Sequence, residues 1–420
     1  MTKNFLRKST MSKLTRYLMP VLFSALALSI TTATRASENP AMVELDNFAK
    51  HSLAASKDAL GYPCSQKLML TPFYKWLLKN KLDTIMINNA GDPFTKHSYT
   101  NSGKFEADVV KYFSSKYGFS ENDFWGIVTF SGTDGNNHGI YFGANYLKTT
   151  TGKSPIVYIS KDAHYSNMRL CDMQNLDFRL IDTDKMGRML PDALEKALVK
   201  DQPALIVYAM GSTFKGAIDD QALLNKVVDK VKPIAVYRHV DAALFGGYLP
   251  YTDLKELVDR RVQPFDSIAV SGHKFFGMDE PAGIFLTTKH VYNNQKAFNT
   301  AYLNGSMPMI NCSRSGITPL KFWWVINHGG DERWTKEARG MLEHAKYLAD
   351  QLEAMNYPHY RNPGSNTVFF KRPSARILEK YGLATDHDDR LGGDLAHVVV
   401  MQHVNKQKID GFIADLKLEK

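Results

Sequence analysis

From Phe105 to Gly272 the chain alternates short, almost unbroken apolar runs with longer amphipathic stretches, and few architectures tolerate that pattern. FWGIVTF, SPIVYIS, FRLIDTD, PALIVYAMG, IAVYRHVDAA and DSIAVSG read as strands. FEADVVKYFSSKYGF, GNNHGIYFGANYLKTT, LPDALEKALVK and DDQALLNKVVDKV read as helices, the first with Phe105, Val109, Val110, Tyr112 and Phe113 on its apolar face. A strand apolar on both faces must be covered on both, and intervening helices supply the crossovers that parallel pairing needs. The expected fold class is therefore α/β, with a large, mostly parallel sheet between layers of helix. After SRSGITP the pattern becomes helical as far as Met355. Strands around NTVFFKRP and DLAHVVVMQHV and a helix from Asn405 follow, which predicts a smaller C-terminal α/β domain. The expected organisation is 1–36 as a targeting segment, 37–100 as an N-terminal segment, 101–314 as the large domain and 315–420 as the small one.

The formal charge of +9 suggests a nucleic-acid partner until the charges are located. Lys3, Arg7, Lys8, Lys13, Arg16 and Arg35 fall in residues 1–36, which hold no acid; the rest of the chain carries 46 basic and 43 acidic side chains. That balance leaves no basic footprint, so no nucleic-acid partner is expected. Basic residues up to Arg16, the apolar YLMPVLFSALALSITTATRA and small residues at Thr34 and Ala36 form a secretory signal pattern with cleavage before Ser37. The mature protein is expected in the periplasm or secreted, with no membrane association, or in the cytoplasm where the segment is not processed. Cys64, Cys171 and Cys312 are odd in number and far apart, so they are expected to be buried thiols rather than a disulfide framework.

In an open sheet of this kind ligands bind beyond the carboxyl ends of the strands, and four strand ends carry unusual chemistry. In TFSGTDGNNHG, a strand ends in Ser131-Gly132-Thr133 and a helix starts near Asp134, an arrangement suited to an anion or to simple capping. In SKDAHYSN, His164 follows a strand and faces the crevice. In YRHVDAALFGG, His239 and Asp241 close a strand beside Ala242 and Ala243, and a buried carboxylate there needs a cationic partner. His239 and Asp241 are at most half a metal site, with no further ligands at suitable spacing, so no metal is expected. In VSGHKFFG, Lys274 sits between Ser271, His273 and Gly277; the lysine is either a solvated charge or an amine held for a Schiff base.

One small molecule satisfies all four segments. It has a phosphate for the Gly132-Thr133 turn, an aldehyde for Lys274, a ring nitrogen for Asp241 and a flat face for His164. Pyridoxal 5′-phosphate has those parts, and a carboxylate against its ring nitrogen keeps that nitrogen protonated.

The motifs LGYP, NSGKFEADVVKYF, SGTDGN, SKDAHYS, KGAIDD, HVDAALFGG, DSIAVSGHKFFG, SRSGITPL and GDLAHVVVMQHV, in this order, resemble the group II pyridoxal-phosphate amino-acid decarboxylases. The likeness is strongest to the branch holding bacterial histidine decarboxylases and plant serine decarboxylases, and it spans nearly all of the mature chain. It implies the aspartate-aminotransferase-like fold (PLP fold type I) and a homodimer whose interface builds both sites, with the 37–100 segment packing on the dimer. It also implies an imine-forming Lys274, a His164 that stacks on the ring and touches substrate, and an Asp241 paired with the pyridinium beside Ala243. Ser131, Gly132, Thr133, Ser271 and His273 would hold the phosphate region, His239 would support the cofactor, and Thr213 of GSTFKGAIDD would lie near the ring substituents.

The implied reaction is decarboxylation of an L-amino acid, with histidine the first expectation and serine or another polar amino acid the next. A carbon–carbon lyase or aminotransferase on the same cofactor, and a non-catalytic exported binding protein, are the competing readings. Three departures fall around the expected substrate mouth: Ser131-Gly132-Thr133-Asp134 for Gly-Gly-Thr-Glu, Pro281-Ala282-Gly283 after Asp279-Glu280 for Pro-Cys-Gly, and SRSGI, with Ile317, for SRNGH.

Overall fold

The computed structural model describes residues 39–96, 99–296, 298–300 and 305–419. The expected targeting segment, 1–36, lies outside them. Two compact units divide the chain at Lys57–Asp58. In the first, the helix Pro40–Ala55 is capped by the Asn39 side chain, which accepts from Ala41 N–H, and none of its residues is buried. The second, Asp58–Lys420, contains a seven-stranded and a four-stranded sheet and two short two-stranded ladders among the described residues.

Seven strands form the large sheet: β1 (Trp125–Thr129), β2 (Ile156–Ser160), β3 (Phe178–Ile181), β4 (Ala204–Ala209), β5 (Val236–Asp241), β6 (Ser267–Ser271) and β7 (Gly283–Thr287). Their order is β1-β7-β6-β5-β4-β2-β3. Neighbours from β6 to β3 pair in parallel, as expected from the apolar runs, and β7 pairs antiparallel with both β6 and β1. β7 has no counterpart in the sequence expectation. The link Gly272–Ala282 is too short to carry a crossover helix, so the chain turns back beside β6 and fills the gap to β1. Thr129, Ser160, Ala209, Asp241 and Ser271 thus end their strands at one edge of the sheet.

Helices α1 (Gly103–Lys116), α2 (Gly132–Thr151) and α4 (Gln221–Val231), with the short helix Pro191–Ala197, follow the expected amphipathic stretches, while α3 (Ser166–Met173) has no counterpart among them. α1 buries Val109, Val110 and Phe113, with Phe105 and Tyr112 partly covered. It also buries Glu106, which accepts from Arg314 Nε (3.1 Å) and Nη2 (3.0 Å) and so ties the SRSG segment to the sheet. α2 packs across β5, β6 and β7. It comes so close to β5 that a Cβ on Gly139 would lie 2.1 to 2.6 Å from three ring atoms of His239. That ring cannot swing aside, because Ser267 Oγ (2.7 Å) and Asn136 Oδ1 (3.0 Å) hold its two nitrogens. Gly139→Ala is expected to destabilise the protein by about 1–3 kcal/mol through overpacking, read as a lower urea midpoint at unchanged slope.

The helical run after residue 316 is two helices, α5 (Ile317–Asn327) and α6 (Gly330–Ala354), rather than the continuous one expected. Strands β8 (His359–Tyr360), β9 (Thr367–Lys371), β10 (Ala384–Asp388) and β11 (Gly393–Val399) make an antiparallel sheet in the order β8-β9-β11-β10. The central pair is the expected one. The edges escaped notice because β8 is only two residues long and β10, ATDHD, is polar and mostly exposed. Helix α7 (Lys406–Lys417), capped by Asn405, closes this layer. Among the described residues no helix is long and apolar enough to cross a membrane. Only Cys171 is a buried thiol; Cys64 is half-buried and Cys312 exposed, which corrects the expectation for those two.

Candidate active site

The octet that ends β6 divides its work between anchoring and presentation. Phe275 and Phe276 are buried, with ring centroids 5.5 and 5.3 Å from that of Trp334. The Lys274 carbonyl accepts from Ser65 N–H at 3.1 Å. With its backbone pinned on both sides, Lys274 projects into a cavity of about 190 Å³ that Asp241 and His164 also line. Burial lowers the pKa of this amine below the usual lysine value, against the opposing pull of Asp241. A solvated surface lysine would not be placed this way.

Asp241 is buried at the end of β5. Its Oδ2 accepts from Asn167 Nδ2 at 2.9 Å, and its Oδ1 has a long contact, 3.3 Å, with Ala243 N–H. His164 precedes α3, and its Nδ1 is met by Ser166 Oγ at 2.7 Å and by Ser166 N–H at 3.3 Å. A backbone N–H can only donate, so Nδ1 accepts and the neutral ring carries its proton on Nε2. Burial pushes this imidazole below its ordinary pKa, partly offset by Asp241.

Ser131, Gly132 and Thr133 line the same cavity, as do Thr213, Ala243, Ser271 and His273. Ser131 caps α2 by accepting from Asp134 N–H, which leaves the first-turn amides of Gly132 and Thr133 without helical partners. A Cβ on Gly132 would come within 2.2 Å of Ser271 Oγ, so only glycine leaves that approach open. Asp134 does not face the cavity. Its Oδ2 accepts from Phe130 N–H, and Asn311 Nδ2 and the His138 ring lie beside it.

One expected site residue is placed elsewhere. His239 is fully buried between α2 and the sheet and does not line the cavity. Burial drives its pKa down to about 4, so it is neutral. Its Nε2–H donates to Asn136 Oδ1, and Asn136 is the residue that reaches the cavity. Its role is therefore to orient an amide rather than to meet a ligand.

The departures at the expected substrate mouth also separate. Pro281 lines the cavity, whereas Asp279, Glu280 and Ile317 do not. Lys321 Nζ ties up the acidic pair, at 2.9 Å from Asp279 and 3.0 Å from Glu280.

Asn136 and Asn167 sit inside the motifs quoted above, yet an asparagine has no spacing signature. Thr367 and Val399 reach the cavity from the small sheet, a meeting that no local pattern reveals. A larger depression, about 880 Å³, is lined by α2 residues and residues 307–312, but its described walls carry no carboxylate and no imidazole.

The conserved-domain pattern of the pyridoxal-dependent decarboxylases matches residues 143–366. Serine decarboxylase 1 of Oryza sativa subsp. japonica is 32% identical over 375 residues, which cover 88% of this chain and 74% of that protein. Histidine decarboxylase of Pseudomonas entomophila (strain L48) is 32% identical over 387 residues, covering 89% and 90%. Among solved structures, L-methionine decarboxylase from Streptomyces sp. 590 superposes with a TM-score of 0.79 at 22% identity, over 91% of this chain and 96% of that one.

Proposed function

This chain belongs to the pyridoxal-dependent decarboxylase family and so removes CO2 from an amino acid with the help of pyridoxal 5′-phosphate, and we propose that the amino acid is histidine. The convergence of Lys274, Asp241 and His164 on one cavity carries the assignment of residues to roles. The substrate reading is supported by the Pseudomonas histidine decarboxylase, matched over 90% of its length, against 74% for the rice serine decarboxylase. Serine is the second reading, favoured by the equal identity of that rice protein.

The residues present fit the cofactor. The cavity has an amine at one wall, a buried carboxylate at another, and at a third a helix start whose glycine leaves room for an anion. When bound, pyridoxal 5′-phosphate supplies a carbonyl carbon for an amine and a cationic ring that accepts an electron pair. Lys274 would hold the aldehyde carbon, and its lowered pKa makes the free amine, which is the nucleophilic form, easier to reach. Asp241 would hold the ring nitrogen in its charged form. Gly132 and Thr133 amides with the Ser271 hydroxyl would hold the phosphate. His164 would cover the ring face as a neutral imidazole, its Nε2–H free to meet the substrate carboxylate. Leu244, Phe245 and Pro281 supply apolar wall that limits water.

The reading includes export with cleavage before Ser37 and assembly as a homodimer. To test it, protein beginning at Ser37 is sized in solution and then incubated with each common amino acid and pyridoxal 5′-phosphate. Histamine formed in equal amount with CO2 by a dimer is expected. Ethanolamine from serine would transfer the assignment to the second reading, and a keto acid or aldehyde without CO2 would defeat both.

A further inference from the structure

Two consecutive residues at the start of α3 contact the two groups that face Lys274: Ser166 meets the His164 ring, and Asn167 meets the Asp241 carboxylate. Asn167 is fully buried, and its backbone N–H donates to the His164 carbonyl, so it belongs to the turn that presents the imidazole. Its side chain is lopsided in use. Nδ2 donates to Asp241 Oδ2 at 2.9 Å, while Oδ1 is buried with no hydrogen-bond partner. A buried carbonyl left unpaired is costly, and an apolar side chain of the same shape would avoid that cost. The amide is therefore kept for its donor end, and that end points at one carboxylate.

We propose that Asn167 is a positioning residue for Asp241: its amide holds the carboxylate in the rotamer that faces the cavity and favours its ionised form. A hydrogen bond to a carboxylate stabilises the charged state, which is the state needed to pair with a protonated ring nitrogen. The Ala243 N–H contact, 3.3 Å, is too long to do this alone. The inference rests on the pairing of Asp241 with the cofactor ring proposed above.

The test is a double-mutant cycle on apo-protein titrated with pyridoxal 5′-phosphate, with Kd read from the change in visible absorbance. Asn167→Leu keeps the shape and removes the donor. In the parent background it is expected to weaken cofactor binding tenfold or more, the range for a hydrogen bond to a charged group. In an Asp241→Asn background the donor has no charge to serve, and the same change should shift Kd less than about twofold.

A purely structural defect would weaken binding equally in both backgrounds. Equal losses in the two backgrounds, or no loss in the parent, would overturn the inference. Wild-type affinity in Asp241→Asn alone would instead bring down the ring-pairing reading, and this inference with it. If the leucine variant does not fold, Asn167→Ala is read by the same criteria.

Discussion

Lys274→Ala is expected to lower CO2 release at least about a thousandfold, the scale on which removal of a covalent catalytic group acts. The loss should be chemical rather than structural. The Lys274 ammonium makes no ion pair among the described residues, and burial already disfavours its charged form. Its backbone is held by Ser65, Phe275 and Phe276, none of which needs the side chain. The urea midpoint should therefore stay close to that of the parent. Lys274→Arg separates charge from nucleophilicity, because a guanidinium keeps the cation and cannot become a free amine in the accessible pH range. Both variants should be inactive, and borohydride should fix the cofactor to the parent chain and to neither variant. If Lys274→Arg kept a tenth of parental turnover, the lysine would be acting as a charge and the assignment of the imine-forming group would be wrong.

Much of this site was legible because parallel strands leave a strong local mark. Runs such as IAVYRHVDAA and DSIAVSG are mostly apolar, which called for burial on both faces, and their last residues had to emerge at one edge. That reasoning placed Asp241 and Lys274 without any contact information. His239 fails the same logic by two residues, because it shares the face of Asp241 but lies one step back from the strand end, where α2 closes that face at Gly139. The strand Gly283–Thr287 was missed because the stretch that joins it to β6, Gly272–Ala282, is a loop rather than a helix, so alternation gave no cue. Least visible were the ion pairs that cross the molecule. Glu106 and Arg314 are 208 positions apart, and Lys215 and Asp388 are 173 apart. A charged residue in a motif looks the same in sequence whether it is solvated or buried, and only the packing of distant segments decides which.

Lys215 is the clearest case, and Lys215→Met is expected to destabilise the protein by about 3 kcal/mol, near the upper end for point substitutions. The side chain is 2% exposed and its ammonium lies 3.0 Å from Asp162 Oδ1 and 2.7 Å from Asp388 Oδ2. Methionine fills a similar volume, so little cavity is created; the cost comes from two carboxylates that lose their shared cation. They do not suffer equally. Asp388 keeps Arg390, which contacts both of its oxygens at 2.9 and 2.7 Å, whereas Asp162 keeps the Thr183 hydroxyl as hydrogen-bond donor and only the more distant charge of Arg390. Adding Asp162→Asn should therefore recover at least about 1 kcal/mol, a non-additivity that marks direct coupling. Strict additivity of the two changes would show that the triad is not a unit.

The pH behaviour follows from Asp388, whose carboxyl is held well below the usual carboxylate range by Arg390 and further by Lys215, against the cost of its burial. A depressed carboxylate stabilises the fold above its unfolded pKa, and that contribution is lost as pH falls through the folded value. Without Lys215 the folded value rises, so acid unfolding should begin at higher pH than in the parent. The triad also joins the segments that carry two cavity residues, since Asp162 precedes His164 by two positions and Lys215 follows Thr213 by two. Loss of stability in Lys215→Met should accordingly come with weaker cofactor binding, because the same cation holds both loops against the end of β10.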